Sequence, residues 1–156
     1  MAVDTMKRSA GKIPIFSVET GSVTPVEKIV KSDAEWQKIL DPLTFEIARK
    51  AGTEPPFTGK YHVWKEHGIY RCACCGTDLF LSDSKFESGT GWPSFSAPVS
   101  EPNVELKRDV SFGMVRTEVL CARCGAHLGH AFDDGPPPTH KRYCMNSASL
   151  AFVKRE

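Results

Sequence analysis

Two copies of one five-residue pattern constrain this chain more than any other feature. Cys72-Ala73-Cys74-Cys75-Gly76 and Cys121-Ala122-Arg123-Cys124-Gly125 both read Cys-Ala-x-Cys-Gly, and a leucine stands three residues after each glycine, at Leu79 and Leu128. A Cys-x-x-Cys pair sets two thiolates on one metal, and the glycine lets the chain turn tightly behind them. Two pairs complete a tetrahedral four-sulfur site with no open position for catalysis. The expected ligands are Cys72, Cys75, Cys121 and Cys124, around one structural zinc ion. Four thiolates also suit iron, but a structural site in a small intracellular domain defaults to zinc. Cys74 is left out, because Arg123 stands at the matching place in the second copy.

The rest of the composition excludes several classes. With 20 basic and 19 acidic residues, the net charge of +1 gives no nucleic-acid footprint and no acidic tail. No apolar run reaches membrane-spanning length, and none follows the N-terminal charges as a secretory signal would. The expectation is an intracellular, cytoplasmic protein without nucleic-acid or membrane partners, acting as a monomer. In a reducing compartment, six cysteines read as metal ligands or catalytic thiols rather than as a disulfide framework. A chain of 156 residues, 40% apolar, supports one core.

Residues 1–31 read as an N-terminal arm, extended or partly disordered, and 32–156 as a single domain. Ser32-Asp33-Ala34-Glu35 matches a helix capping box, followed by an apolar stripe of Trp36, Ile39 and Leu40. Asp41-Pro42 starts a second short helix as N-cap and first-turn proline, with Leu43 and Ile47 facing inward and Gly52 ending it. Thr53 to Phe57 is loop, since its two prolines sustain neither helix nor central strand. From Tyr61 onward, short β-prone runs alternate with turn residues: Tyr61–Trp64, Ile69–Cys72, Leu79–Leu81, Val104–Leu106, Met114–Leu120, Leu128–Phe132, Arg142–Met145 and Leu150–Val153. The fold class this predicts is mainly β, an antiparallel sandwich or small barrel with short N-terminal helices and a two-knuckle zinc site.

Setting aside the ligands and Cys74 leaves Cys144. In Arg142-Tyr143-Cys144-Met145-Asn146, alternation puts Tyr143 and Met145 in the core and Arg142, Cys144 and Asn146 on the other face. A guanidinium beside a thiol favours the reactive thiolate; the competing reading is a small apolar filler. His127-Leu128-Gly129-His130 carries two imidazoles that a regular strand would point to opposite faces, and a bulge or kink at Gly129 would bring them together. Such a pair beside a thiolate can hold or supply protons. The loop Ser88-Gly89-Thr90-Gly91-Trp92-Pro93-Ser94-Phe95 offers Trp92 and Phe95 as an apolar wall. His62, His67 and His140 fall in turn or surface contexts and take no role.

Three runs in order, Gly91-Trp92-Pro93-Ser94-Phe95, His127 to Pro136 and Arg142 to Ser147, resemble the B-type methionine-R-sulfoxide reductases, and the likeness extends from about Ser32 to Phe152. The resemblance implies a β-sandwich that reduces the R-epimer of methionine sulfoxide, chiefly in proteins. It implies that Cys144 attacks the sulfoxide sulfur and becomes a sulfenic acid, regenerated by thioredoxin or another thiol reductant. Arg142 matches the residue that stabilises the thiolate, His127, His130 and Asn146 the polar groups around the sulfoxide oxygen, and Trp92 the wall that receives the methyl group. Many family members carry a resolving cysteine just before Gly-Trp-Pro-Ser-Phe, where this chain has Thr90. The usual internal disulfide with Cys144 therefore cannot form, which leaves Cys74, a thioredoxin-like protein or a small thiol; direct external reduction is favoured. Two other classes stay in view. A zinc-ribbon adaptor is opposed by the balanced charge and the Arg-x-Cys-x-Asn face, and a Cys–His hydrolase by the lack of any sequence sign of an oxyanion hole.

Overall fold

The computed structural model describes residues 12–155. Strands β1 (Lys12–Ser17) and β2 (Ser22–Glu27) form a hairpin. The helical segment follows: α1 (Asp33–Ile39), a single turn α2 (Pro42–Thr44) and a π-helical turn, Phe45–Arg49. The sandwich is built from β3 (Gly68–Cys72), β4 (Asp78–Leu81), β5 (Lys85–Phe86), β6 (Ser94–Phe95), β7 (Val104–Asp109), β8 (Arg116–Cys121), β9 (His127–Phe132), β10 (Arg142–Met145) and β11 (Leu150–Lys154). One sheet has the order β5-β6-β10-β9-β8-β7 and the other β11-β3-β4. Every pairing is antiparallel.

The core lies between the two sheets. Phe80 on β4 stacks on Phe95 of β6 at 4.4 Å between ring centroids, Tyr70 on β3 meets Phe95 edge-on at 5.0 Å, and Tyr143 of β10 closes the cluster 5.8 Å from Phe80. Alternation along β10 buries Tyr143 and Met145 and leaves Arg142 and Cys144 half-buried, so the strand feeds the core from one face and a cleft from the other.

The knuckles are the turns of two hairpins. In each, the glycine takes a left-handed conformation (φ +81° at Gly76, +79° at Gly125) and donates its N–H to the first cysteine's carbonyl at 2.8 Å. One knuckle joins β3 to β4 and the other β8 to β9, so each sheet contributes one pair of thiols.

Several local expectations are corrected. Residues 12–27, read as part of an extended arm, pair as a hairpin and dock: Asn103, fully buried, accepts from Phe16 N–H at 2.8 Å and donates to the carbonyls of Phe16 (2.9 Å) and Asp78 (2.7 Å). Residues 1–11 of that arm lie outside the described residues. The capping box at Ser32 and the Asp41 cap with Pro42 in the first turn form as read. Ile39 and Leu43 do not face inward, being 60% and 58% exposed. Helix α1 is too short to bury more than the face carrying Trp36, and the wider π-helical turn rotates Thr44, Phe45, Ile47 and Ala48 inward in Leu43's stead. Tyr61–Trp64 is a turn rather than a strand; both aromatic ends fold back onto Phe152. The two-residue strands β5 and β6 are too short to carry an alternation signal.

Asn103 generates the first prediction. Asn103→Ala leaves a buried N–H and two carbonyls without partners, and should lower unfolding free energy by roughly 2–4 kcal/mol. Urea titration should show the midpoint falling with unchanged slope; an unaltered midpoint would mean that the hairpin contributes nothing to the fold.

Candidate active site

The cleft opens on the face of the six-stranded sheet that carries Cys144. Its volume is about 210 Å³, and its walls include Thr90, Trp92, His130, Phe132, Cys144 and Asn146. Strand β10 supplies Cys144 and β9 supplies His130, paired directly across the ladder, while Ser94 of β6 pairs with Cys144 on the other side. The nucleophile candidate thus sits on a central strand, held by backbone bonds to both neighbours.

The two histidines are brought together by a bulge. Across β8 and β9, Val119 pairs with Gly129 but Leu120 pairs with His127, so Leu128 is the extra residue, one position before the glycine expected to carry the kink. The rings end 5.5 Å apart and edge-on. Gly129 serves a different purpose: a Cβ there would collide with the carbonyl of Cys144, so glycine permits the close approach of β9 and β10.

Their environments differ. His127 is buried behind the cleft; its Nδ1 lies 2.7 Å from Glu118 Oε2, which fixes the Nδ1–H tautomer, and Nε2 is buried without a protein partner. Burial pushes its pKa below the usual imidazole value, against the pull of Glu118, so it is neutral at pH 7. His130 lines the cleft, and its Nε2–H reaches Asp109 Oδ2 at 2.8 Å. The Asp109 carboxyl is held far below its usual range, first by the Ser111 backbone N–H and then by His130, so a permanent anion backs the imidazole that faces the cleft. Of the two histidines, only His130 is among the cleft-lining residues.

Arg142 lies flat on Phe132, 4.4 Å from the ring centroid, and makes a two-pronged pair with Asp134 at 2.9 and 3.2 Å. Its charge favours the Cys144 thiolate, the direction expected of a guanidinium beside a thiol. Burial raises the Cys144 pKa, and the opposing pull of Arg142 and the Thr90 hydroxyl only partly offsets it. The resting group is a thiol whose ionisation these two neighbours ease.

Phe95 is also reassigned. It is wholly buried between the sheets, opposite Tyr143 in the ladder, and does not touch the cleft. Strand alternation forces this: Ser94 and Phe95 point to opposite faces, and the core takes the larger. Phe132 is the second aromatic residue that lines the cleft with Trp92. Arg116, Thr53 and Glu54 carry no motif signal; Phe132 lies inside the run His127 to Pro136 and was within reach as the next outward residue after His130 on β9.

The four knuckle thiols converge, with their sulfurs all within 4.8 Å of one another. Cys72 and Cys124 are 3.6 Å apart, as are Cys75 and Cys121, close to the ~3.8 Å edge of a tetrahedron with metal–sulfur bonds of ~2.3 Å. Hydrogen bonds among the sulfurs push the Cys72 and Cys121 thiols up and draw Cys124 and Cys75 down. These residues can hold a metal ion. Arg49, unmarked in the sequence, caps the cluster: it stacks on Trp36 at 4.4 Å and donates to Cys124 Sγ (3.5 Å) and O (3.0 Å). The cluster shares no residue with the cleft lining, and neither does Cys74.

A half-buried cysteine flanked by an imidazole and an amide, apart from a cluster of four thiols that can hold a metal ion, fits a thiol-dependent enzyme on a β-sandwich. Similarity to known proteins fixes which one. The SelR domain matches residues 40–154. The peptide methionine sulfoxide reductase MsrB of Herminiimonas arsenicoxydans is 56% identical over 126 residues, covering 81% of this chain and 92% of that protein. The MsrB of Methanosarcina barkeri is 56% identical over 128 residues (82% and 90%), and that of Pseudomonas savastanoi pv. phaseolicola 53% identical over 131 residues (84% and 100%). The chain belongs to the SelR family, the B-type peptide methionine sulfoxide reductases. It is an enzyme of methionine sulfoxide reduction, which sets aside the adaptor and hydrolase readings.

Two measurements follow. Cys72→Ser and Cys124→Ser should each lose most bound metal and melt well below the parent, because metal binding and folding are linked; full metal content with an unchanged melting temperature would defeat the ligand assignment. Arg142→Ala removes a charge that lowers the Cys144 pKa, so the midpoint of its alkylation against pH should move upward. An unmoved midpoint would leave Asp134 as Arg142's only electrostatic partner.

Proposed function

We propose that the cleft reduces the R-epimer of methionine sulfoxide, chiefly in proteins, with Cys144 as nucleophile. The observation that carries this reading is the lining of the cleft around Cys144, which combines the aromatic rings of Trp92 and Phe132 with the polar groups of His130 and Asn146. An aromatic wall suits the substrate methyl and hydrogen-bond donors suit the sulfoxide oxygen; a site with both, in fixed hand, discriminates epimers.

Cys144 gives its thiol proton to the free nitrogen of His130, and the thiolate attacks the sulfoxide sulfur while the imidazolium so formed, held through Nε2–H by Asp109, passes that proton to the oxygen, which is otherwise a poor leaving group. Oxygen passes to Cys144 as a sulfenic acid and methionine leaves with its sulfur reduced. An external thiol then condenses with the sulfenic acid, releasing water and forming a mixed disulfide, and a second thiol displaces Cys144. Support for external reduction comes from Thr90: it lines the cleft beside Cys144, where its hydroxyl can accept no disulfide, and Cys74 is not a lining residue. A thioredoxin-like protein fits that role. His127 acts from behind, holding its neutral ring against His130.

The four-sulfur cluster takes one structural zinc ion, an assignment supported by its all-thiolate donor set and by its separation from the cleft. Six free cysteines support a reducing, cytoplasmic setting, and a cleft complete within one chain supports a monomer. Among the described residues no helix is long and apolar enough to cross a membrane.

Separated epimers of a methionine-sulfoxide peptide, assayed with dithiothreitol, test the reading. Turnover of the R-epimer alone, lost in a folded Cys144→Ser, is the expected result; equal turnover of both epimers would overturn the assigned epimer specificity. A single turnover without reductant should leave a dimedone-reactive Cys144 and no internal disulfide by mass spectrometry. A Cys74–Cys144 disulfide would overturn external reduction.

A further inference from the structure

Glu54 stands where the helical segment, the Trp92 loop and the end of β10 meet, and the reaction described above gives it no task. It is 3% exposed. Its backbone N–H donates to Asn146 Oδ1 at 3.1 Å, and its carbonyl accepts from Trp92 Nε1–H at 2.9 Å. Its carboxylate is bound by two backbone donors, Ser147 N–H on Oε2 at 2.9 Å and Ala148 N–H on Oε1 at 3.1 Å. Among the described residues no lysine or arginine forms an ion pair with it. A buried carboxylate without a cation is costly, and two backbone N–H bonds recover only part of that cost. Gly59 makes room for it, because a Cβ there would strike Glu54 Oε2 and the Ser147 side chain.

The bonds fix a definite geometry. Asn146 has one acceptor oxygen and two N–H donors. Glu54 N–H takes the oxygen and the Leu128 carbonyl takes one donor at 3.3 Å, which leaves the second N–H for the cleft that Asn146 lines. An amide turned the other way would set its oxygen against the sulfoxide oxygen, acceptor to acceptor. The same residue anchors Trp92, another residue of the cleft lining. With two prolines following it, the loop has few backbone bonds of its own, and the carboxylate is the pin that seats it on the start of the Ser147–Ser149 turn.

We propose that Glu54 is a positioning residue for sulfoxide reduction, holding the Asn146 amide donor-outward and the Trp92 indole at a set distance across the cleft. The role rests on the reading of the cleft as the methionine-sulfoxide site. It is a geometric role, because the electrostatic effect of Glu54 has the wrong sign for reactivity: burial is the main cause that raises the Cys144 pKa, and the Glu54 charge adds to it. A group retained against both its own burial and the nucleophile's ionisation is there for what it holds.

That opposition supplies the test. Glu54→Gln keeps the shape but turns an amino group toward a backbone N–H. In the folded variant, kcat for R-methionine sulfoxide should fall by about tenfold, while alkylation of Cys144 by iodoacetamide at pH 7 should quicken by about twofold, since a repelling charge has gone. A loss of packing alone would not move the two in opposite directions. Adding Asn146→Ala should cost little beyond the Asn146→Ala loss itself, because both changes act through one amide. Unchanged kcat in Glu54→Gln, or losses that multiply in the pair, would overturn the role. Should Glu54→Gln not fold, Glu54→Asp keeps the charge and withdraws the oxygens: reduced kcat with unaltered alkylation supports the role, and parental kcat refutes it. A parent enzyme inert towards methionine sulfoxide would instead overturn the substrate reading beneath it.

Discussion

The convergence of four thiols from two hairpin turns is the constraint on which the rest of the molecule depends. Each sheet contributes one knuckle, so the cluster joins the sheets at one end of the sandwich while the Phe80–Phe95–Tyr143 aromatics join them along its length. The consequences reach the cleft through chain continuity. Strand β9 begins immediately after the second knuckle, so the cluster sets the starting point of the strand that bulges at Leu128 and delivers His130. On the other side, Ala73 of the first knuckle donates to the carbonyl of Ser149, just beyond Asn146 and at the head of β11. The metal-binding turns are outside the chemistry, yet they fix both polar groups of the cleft in register.

Reactivity at Cys144 is a balance rather than a gift of one neighbour. A cysteine on a central strand is desolvated by the sheet that positions it, and desolvation favours the thiol. The Arg142 guanidinium and the Thr90 hydroxyl work against that, and Arg142 is itself tethered by Asp134 and by stacking on Phe132.

What the sequence made legible divides by physical cause. Features with short-range chemistry were readable: the knuckles, both helix caps and seven of the strands, because spacing, a capping side chain or alternation encodes each locally. The outward face of β10 was readable for the same reason. Phe95 was misread because a loop motif does not say which of two adjacent residues the sheet will turn inward. Leu43 was misread because a π-helical turn shifts the inward face, and nothing in the pattern marks that widening. The arm's hairpin was missed because the short apolar run Ile13 to Phe16 has no local partner; its docking depends on Asn103, far along the chain. Glu54 and Arg49 were invisible because their work lies in bonds to distant backbone and sulfur, and a lone charged residue in a loop or helix is indistinguishable from a solvated one until those partners are placed.

Thr90 shows how one position links these levels. Its hydroxyl hydrogen-bonds Ser88 at 2.8 Å and lies within reach of the Cys144 sulfur, so the loop places a side chain there whatever its chemistry. A cysteine at that point would trap an oxidised Cys144 as a disulfide and would compete with it for ionisation in the same field. A threonine eases the ionisation of Cys144 and cannot form a disulfide with it. On the external reduction proposed above, an incoming thiol would have a route to Cys144, because Thr90 and Arg142 are shared between the cleft and an adjoining groove of about 450 Å³ edged by Phe86, Asp134 and Pro136.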